Sequence, residues 1–131
     1  MADANIIISA SLFPNSIVGR VFTDIAINHQ LVLCKYTLDE IKNVFQRKFP
    51  DRIKHLNNFI KNLKYEIVKI NISDFGKYPQ IRDIDDTPLL AYAIESKVDI
   101  LITGDKDFEE TNIEKLKILN PRKYIDEYMK A

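Results

Sequence analysis

Apolar residues recur along the chain in two rhythms. Ile17, Val18, Val21, Phe22 and Ile25 repeat at helical spacing, with Asn15 or Ser16 placed to cap that helix. Thr37 opens a second run that carries Ile41, Val44 and Phe45 on one face, and Pro50 ends it. Ile53, Leu56, Ile60 and Leu63 mark the next helix. Thr87-Pro88 leads into Leu89, Leu90, Ala93 and Ile94, and Asn120-Pro121 into a final helix through Tyr128; proline suits a first helical turn. Between these runs lie short β-branched stretches: one ending near Asp3, then 31–35, 66–70, 99–103 and 115–119. Helices alternating with short strands predict an α/β domain with a mainly parallel sheet, one domain over residues 1–131. The longest irregular stretch, 71–86, holds Gly76 and Pro79 and runs into an acidic segment.

Composition narrows the class. At 46% hydrophobic the chain can bury a core without disulfides, and its one cysteine, Cys34, has no internal partner. Asp3 and Asn5 interrupt the start before a signal-like apolar run develops, and no apolar stretch approaches the ~20 residues that span a bilayer. A cytoplasmic protein with no membrane association is expected. Nineteen basic residues balance nineteen acidic ones, so net charge does not mark a nucleic-acid binder. The distribution is less even: Lys42, Arg47, Lys48, Arg52, Lys54, Lys61 and Lys64 face only Asp51. Such a run is a solvated face or a phosphate-contacting one.

The acidic residues fall where chemistry would need them. Asp3 ends the first strand, Asp105 and Asp107 follow the strand through Thr103, Asp83, Asp85 and Asp86 precede a helix, and Glu40 lies in the first turn of another. In an open parallel sheet the carboxyl edge gathers strand ends and helix starts around one crevice. Carboxylates forced together either take up protons or hold a divalent cation; Mg²⁺ accepts a few carboxylates and keeps positions for water and phosphate. Each piece also has a plain structural reading. Thr37-x-x-Glu40 fits a capping box, Asp86 favours a helix amino end, Thr103-Gly104-Asp105-Lys106-Asp107 fits a polar turn, and Asp3 fits a surface position. His29 and His55 are isolated and Cys34 falls in a buried strand, so Ser/His or Cys/His catalysis finds no support.

Four acidic motifs in order resemble the PIN domain, in particular the toxin components of toxin–antitoxin pairs. Asp3-Ala4-Asn5 followed by Ile6-Ile7-Ile8-Ser9-Ala10 is similar to the family's opening, and Thr37-Leu38-Asp39-Glu40-Ile41 to the helix that carries its glutamate. Asp83-Ile84-Asp85-Asp86-Thr87-Pro88 resembles the third motif, Thr103-Gly104-Asp105-Lys106-Asp107-Phe108 the fourth, and Asn120-Pro121-Arg122-Lys123-Tyr124 the closing segment. The resemblance implies a three-layer α/β/α sandwich with a five-stranded, mainly parallel sheet. It implies a single-strand-specific endoribonuclease dependent on Mg²⁺ or Mn²⁺, with a cognate antitoxin and assembly as a homodimer or higher homo-oligomer. Carried over by position, Asp3, Glu40, Asp86 and Asp105 are the catalytic metal ligands and Asp107 a fifth. Asn5 and Thr103 orient ligands, water or phosphate, while Asp83 shapes its loop.

Two departures bear on activity. Position 4 is Ala4 where the family has a hydroxyl, and only Met1 and Ala2 precede Asp3, so a short first strand with few ladder bonds is expected. They motivate an alternative, a catalytically inactive PIN-fold module that binds RNA or protein. A receiver-type signalling domain is disfavoured, because the strand at 66–70 is followed by Asn71 and not by an acceptor aspartate. With no histidine placed as a base, water activated by a metal is the expected nucleophile. Lys54, Lys61 and Lys64 are the candidates for RNA backbone contact or for docking an acidic partner segment.

Overall fold

The computed structural model describes residues 1–81 and 83–129, and the backbone alone of Ile84. Helices α1 (Ala4–Leu12) and α2 (Ile17–Asn28) lead into β1 (Val32–Cys34) and α3 (Lys35–Lys48). Helix α4 (Ile53–Asn62) precedes β2 (Glu66–Val68); α5 (Thr87–Glu95), β3 (Ile100–Ile102), β4 (Lys117–Leu119) and α6 (Pro121–Tyr128) complete the order. Two caps and one helix end are those the sequence marks or allows. Ser16 accepts from the Gly19 amide, Asn120 accepts from that of Lys123, and Pro50 follows the end of α3.

Helix α1 is absent from the periodicity because it has no polar face to show. Ala4, Ile6, Ile7, Ile8, Ala10 and Ser11 are all buried, so the run is apolar nearly all round and carries no amphipathic rhythm. Thr37 does not cap α3. That helix begins at Lys35 after Cys34, with no side-chain cap, and the buried Thr37 hydroxyl lies 3.2 Å from the Cys34 sulfur.

Both strand pairs are parallel: β1 with β2 in the register Leu33↔Ile67, and β3 with β4 in the register Leu101↔Ile118. The segment Met1–Asp3 runs parallel to β3, the Ile102 amide donating to the Met1 carbonyl at 2.8 Å and the Asp3 amide to the Ile102 carbonyl at 3.0 Å. Among the described residues this leaves two two-stranded sheets and two isolated bridges, Ala2 with Ile102 and Ile113 with Leu116, in place of the continuous five-stranded ladder expected. Chain geometry supplies the reason. Helices begin at Ala4 and Lys35, directly after their strands, so each strand pairs for only two or three residues.

Side chains along the strands nonetheless alternate between two apolar clusters. Ala2, Leu33, Ile102 and Leu119 face one, with Ile7, Phe45, Leu56 and Tyr124 from the helices. Met1, Cys34, Leu101 and the half-buried Ile118 face the other, with Leu90 and Phe108. Period-two alternation between apolar surroundings means the strands are covered by helices on both faces, which a parallel arrangement requires.

Among the described residues no single helix is long and apolar enough to cross a membrane. Helices α1 and α2 reach that apolar length only as a pair bent by 105°, and α1 is largely buried in the core.

The bend is held by a close approach at Gly19, where an added Cβ would lie 2.5 Å from the Pro14 carbonyl oxygen and 2.6 Å from that of Phe13. Helix propensity alone favours alanine over glycine by about 1 kcal/mol. A clash against backbone costs more, about 1–3 kcal/mol. Gly19→Ala is therefore expected to lower the urea midpoint without changing the denaturant slope, and an unchanged or raised midpoint would contradict the packing described.

Candidate metal centre

The carboxyl ends of β3 and of the Met1–Asp3 segment come together because the two lie side by side, and Asp3 and Thr103 follow directly. Asp3 is only 9% exposed. One of its oxygens accepts the Ile6 amide at 3.0 Å, capping α1, and the other accepts the Thr103 hydroxyl. The Thr103 oxygen in turn accepts the Asp105 amide at 3.2 Å, tying the first acidic motif to the fourth. Asp105 folds its own turn by accepting the Asp107 amide at 2.9 Å.

Helix α5 delivers the third motif. Asp83 shapes the approach, as expected, accepting the Asp85 amide through its carboxylate and the Asp86 amide through its carbonyl. Asp86 makes no capping bond at the start of α5. Its ligand atom lies with those of Asp105 and Asp107 in a group whose members are all within 4.8 Å of one another. Asp3 and Glu40 stand outside that tight trio; Asp3 lies within its field, and Glu40 within that of Asp3 and Asp85. Asp3 feels Asp105, Glu40 feels Asp3 and Asp85, and Asp86 feels Asp105, Asp83 and Asp3.

Electrostatics registers the crowding. Burial raises the pKa of Asp3, partly offset by the bonds from Thr103, Ile6 and Asn5. Glu40 is raised by desolvation first and then by Asp3 and Asp85. Asp86 is pushed up to about 7 by burial, by the facing carboxyl of Asp105, and by the charges of Asp105, Asp83 and Asp3. A carboxylate at the positive end of a helix should move the other way, so burial and the crowding together outweigh the helix. Oδ2 of Asp86 is also buried without a hydrogen-bond partner. An orphaned carboxylate oxygen beside two further carboxylates fits a hard divalent cation.

The remaining candidates are spread more widely. Asn5 is exposed in the first turn of α1, and its backbone amide is the group that reaches Asp3. Lys54, Lys61 and Lys64 are exposed. Lys61 and Lys64 stand where α4 feeds the amino end of β2, and Lys64 lines a cavity with His29, Gln30 and Glu66. The carboxylates gather at the opposite, carboxyl edge of the strands, so the structure does not bring Lys61 or Lys64 to them. His55 hydrogen-bonds the Ser11 carbonyl and His29 packs edge-on against Tyr124 and Tyr128, both away from the acidic group.

One neighbour of the site carried no sequence signal. Tyr36, in the first turn of α3, donates to the Asp85 carbonyl at 2.9 Å. Its hydroxyl is pushed up to about 12 by burial and by the charges of Glu40, Asp85 and Asp86. Its ring stacks on Tyr92 of α5, which meets Phe75 edge-on. A lone tyrosine after a strand reads as packing, and its link to the acidic loop exists only in three dimensions.

Comparison with known proteins agrees with this geometry. The chain is 32% identical over 143 aligned positions to an uncharacterized protein of Methanocaldococcus jannaschii, an alignment that covers 98% of this chain and 90% of that protein. A family model described as PIN domain matches residues 1–107, a span that includes Asp3, Glu40, Asp86, Asp105 and Asp107. The chain belongs to the PIN domain family, whose members are generally nucleases that work with divalent metal at an acidic cluster.

Proposed function

We propose that the chain is a Mg²⁺- or Mn²⁺-dependent endoribonuclease that cuts single-stranded RNA, and that it serves as the toxin of a toxin–antitoxin pair. The convergence of Asp86, Asp105 and Asp107, together with the buried, unpartnered oxygen of Asp86, carries the metal part of this reading. Resemblance of the ordered motifs carries the choice of RNA and the toxin role. On this reading Asp3, Glu40, Asp86 and Asp105 hold the cation, directly or through water, with Asp107 beside them. The cation, when bound, lowers the pKa of the attacking water and offsets charge on the leaving oxygen.

The chain's own groups do the positioning. Thr103 fixes one oxygen of Asp3 through its hydroxyl, and the Asp107 amide fixes one oxygen of Asp105. Neither histidine reaches the cluster, so no imidazole base takes part. Asn5 is a candidate for contact with RNA from the exposed first turn of α1. Lys54, Lys61 and Lys64 are candidates for the more distant RNA backbone or for an acidic antitoxin segment. The two strand pairs and the Met1–Asp3 bridge are read as parts of one sheet between two helical layers, supported by the alternation of their side chains. A cytoplasmic setting, a homodimer or higher assembly and a cognate antitoxin belong to the same proposal.

Metal and pH should act on stability together. Asp86 titrates at about 7 in the folded chain against 3.8 unfolded. Between these values the folded state holds more protons, so this group's contribution is intact at low pH and is lost as pH rises towards about 7. In chelator, Asp86→Asn should therefore gain on the wild type as pH rises from about 5 to about 7.5. Mn²⁺ should stabilise the wild type but not the variant. Thermal melts that run parallel for both proteins across this range, with and without Mn²⁺, would refute the shared cation.

Activity gives the second check. Wild-type protein with Mg²⁺ or Mn²⁺ should cleave an unstructured oligoribonucleotide, chelator should stop it, and Asp105→Asn should lower kcat/KM by about 100-fold or more. Asp51→Asn, outside the cluster, should leave the rate unchanged. Full activity in Asp105→Asn would end the assignment. RNA binding by the wild type without cleavage and without Mn²⁺ binding would favour the inactive module.

A further inference from the structure

A cavity of about 470 Å³ opens beside the carboxylates and shares Thr103 and Asp105 with them. Its far wall comes from the loop after Phe108 and from the start of α6, through Asn112, Asn120 and Lys123. None of this wall belongs to the acidic motifs; Asn120–Lys123 lies in the segment that resembles the family's closing motif. The volume falls within the range of small-molecule sites, enough for a nucleotide.

Charge on the wall is uneven in a useful way. Of its two lysines, Lys117 is paired with Glu127 at 2.9 Å. Lys123 is exposed and, among the described residues, its ammonium has no ion pair or hydrogen bond. Glu109 and Glu114 are the opposing charges beyond Asp105 and both are exposed, where screening is strongest. Asn112 is exposed and makes no side-chain bond among the described residues, so its amide is free to meet a base edge, while Asn120 is committed to capping α6.

We propose that this cavity holds the nucleotide flanking the scissile phosphate of a single-stranded RNA, with Lys123 contacting the RNA backbone. The inference rests on the ribonuclease reading and moves the phosphate contact nearest the cluster from the α4 lysines to α6. Lys61 and Lys64 lie at the other edge of the strands, whereas Lys123 shares a cavity with Asp105.

Steady-state cleavage of a fluorescent, unstructured 12-nucleotide RNA in Mn²⁺ tests it. Lys123→Gln should raise KM about fivefold and leave kcat within about twofold. The dependence of log(kcat/KM) on log salt should become shallower by about 0.7, the share of one phosphate on a single strand. Lys123→Arg should restore both, and Lys97→Gln, an exposed lysine before the amino end of β3 and outside this cavity, should change neither. Asn112→Trp, which fills the cavity without altering charge, should also raise KM. Melting temperatures establish that each variant is folded, which the exposure of both positions favours. If the wild type cuts, Asp105→Asn does not, and either Lys123→Gln or Asn112→Trp keeps the wild-type KM, the nucleotide subsite is overturned and the nuclease survives. If the wild type cuts no single-stranded RNA, both fall.

Discussion

The bond from the Thr103 hydroxyl to the buried Asp3 carboxylate is the interaction on which the rest of the structure turns. It joins residues a hundred positions apart and closes the line between the Met1–Asp3 segment and β3 just where their ladder ends. The same carboxylate starts α1 by accepting the Ile6 amide. A carboxylate this buried carries a desolvation cost that hydrogen bonds must offset. Removing either bond would leave a charge in the core and loosen the two segments that set the acidic edge.

A second constraint follows from placing further carboxylates next to the first. Asp86 has no cap to make and no donor for its buried oxygen, and Glu40 has no partner in the capping box that its spacing suggested. Neither is explained by local structure. Both are raised in pKa, which means that folding opposes their ionisation rather than favouring it. Proteins carry such arrangements where binding of a cation repays them, and stability given up in the free state becomes affinity in the bound one.

How much of this was legible in the sequence depends on the range of the interaction responsible. Amphipathic faces, Ser16, Asn120, Pro88 and Pro121 act over a few residues, so α2, α4, α5 and α6 could be read directly. Helix α1 could not, because burial on all sides removes the period that reveals a helix. The carboxyl-edge rule brought Asp3, Glu40, Asp86 and Asp105 to one region, since that rule depends on topology alone. It could not say that Asp86, Asp105 and Asp107 form the tight group while Asp3 and Glu40 stand back. Nor could it find Tyr36, whose partner at Asp85 is distant in sequence, or show that Lys61 and Lys64 end at the opposite edge.

The structural and chemical readings of the aspartates compete less than their sequence contexts suggest, because a carboxylate has two oxygens. Asp3 gives one to the Ile6 amide and the other to Thr103; Asp105 gives one to the Asp107 amide. The turn and the cap are therefore real, and they hold the carboxylates at fixed angles to their neighbours. Asp86 supplies what those two lack, a buried oxygen with nothing bound to it. A cation site can use both kinds of ligand. Groups oriented by the backbone keep the geometry when the metal leaves, and a group left without a partner gives the metal a reason to return.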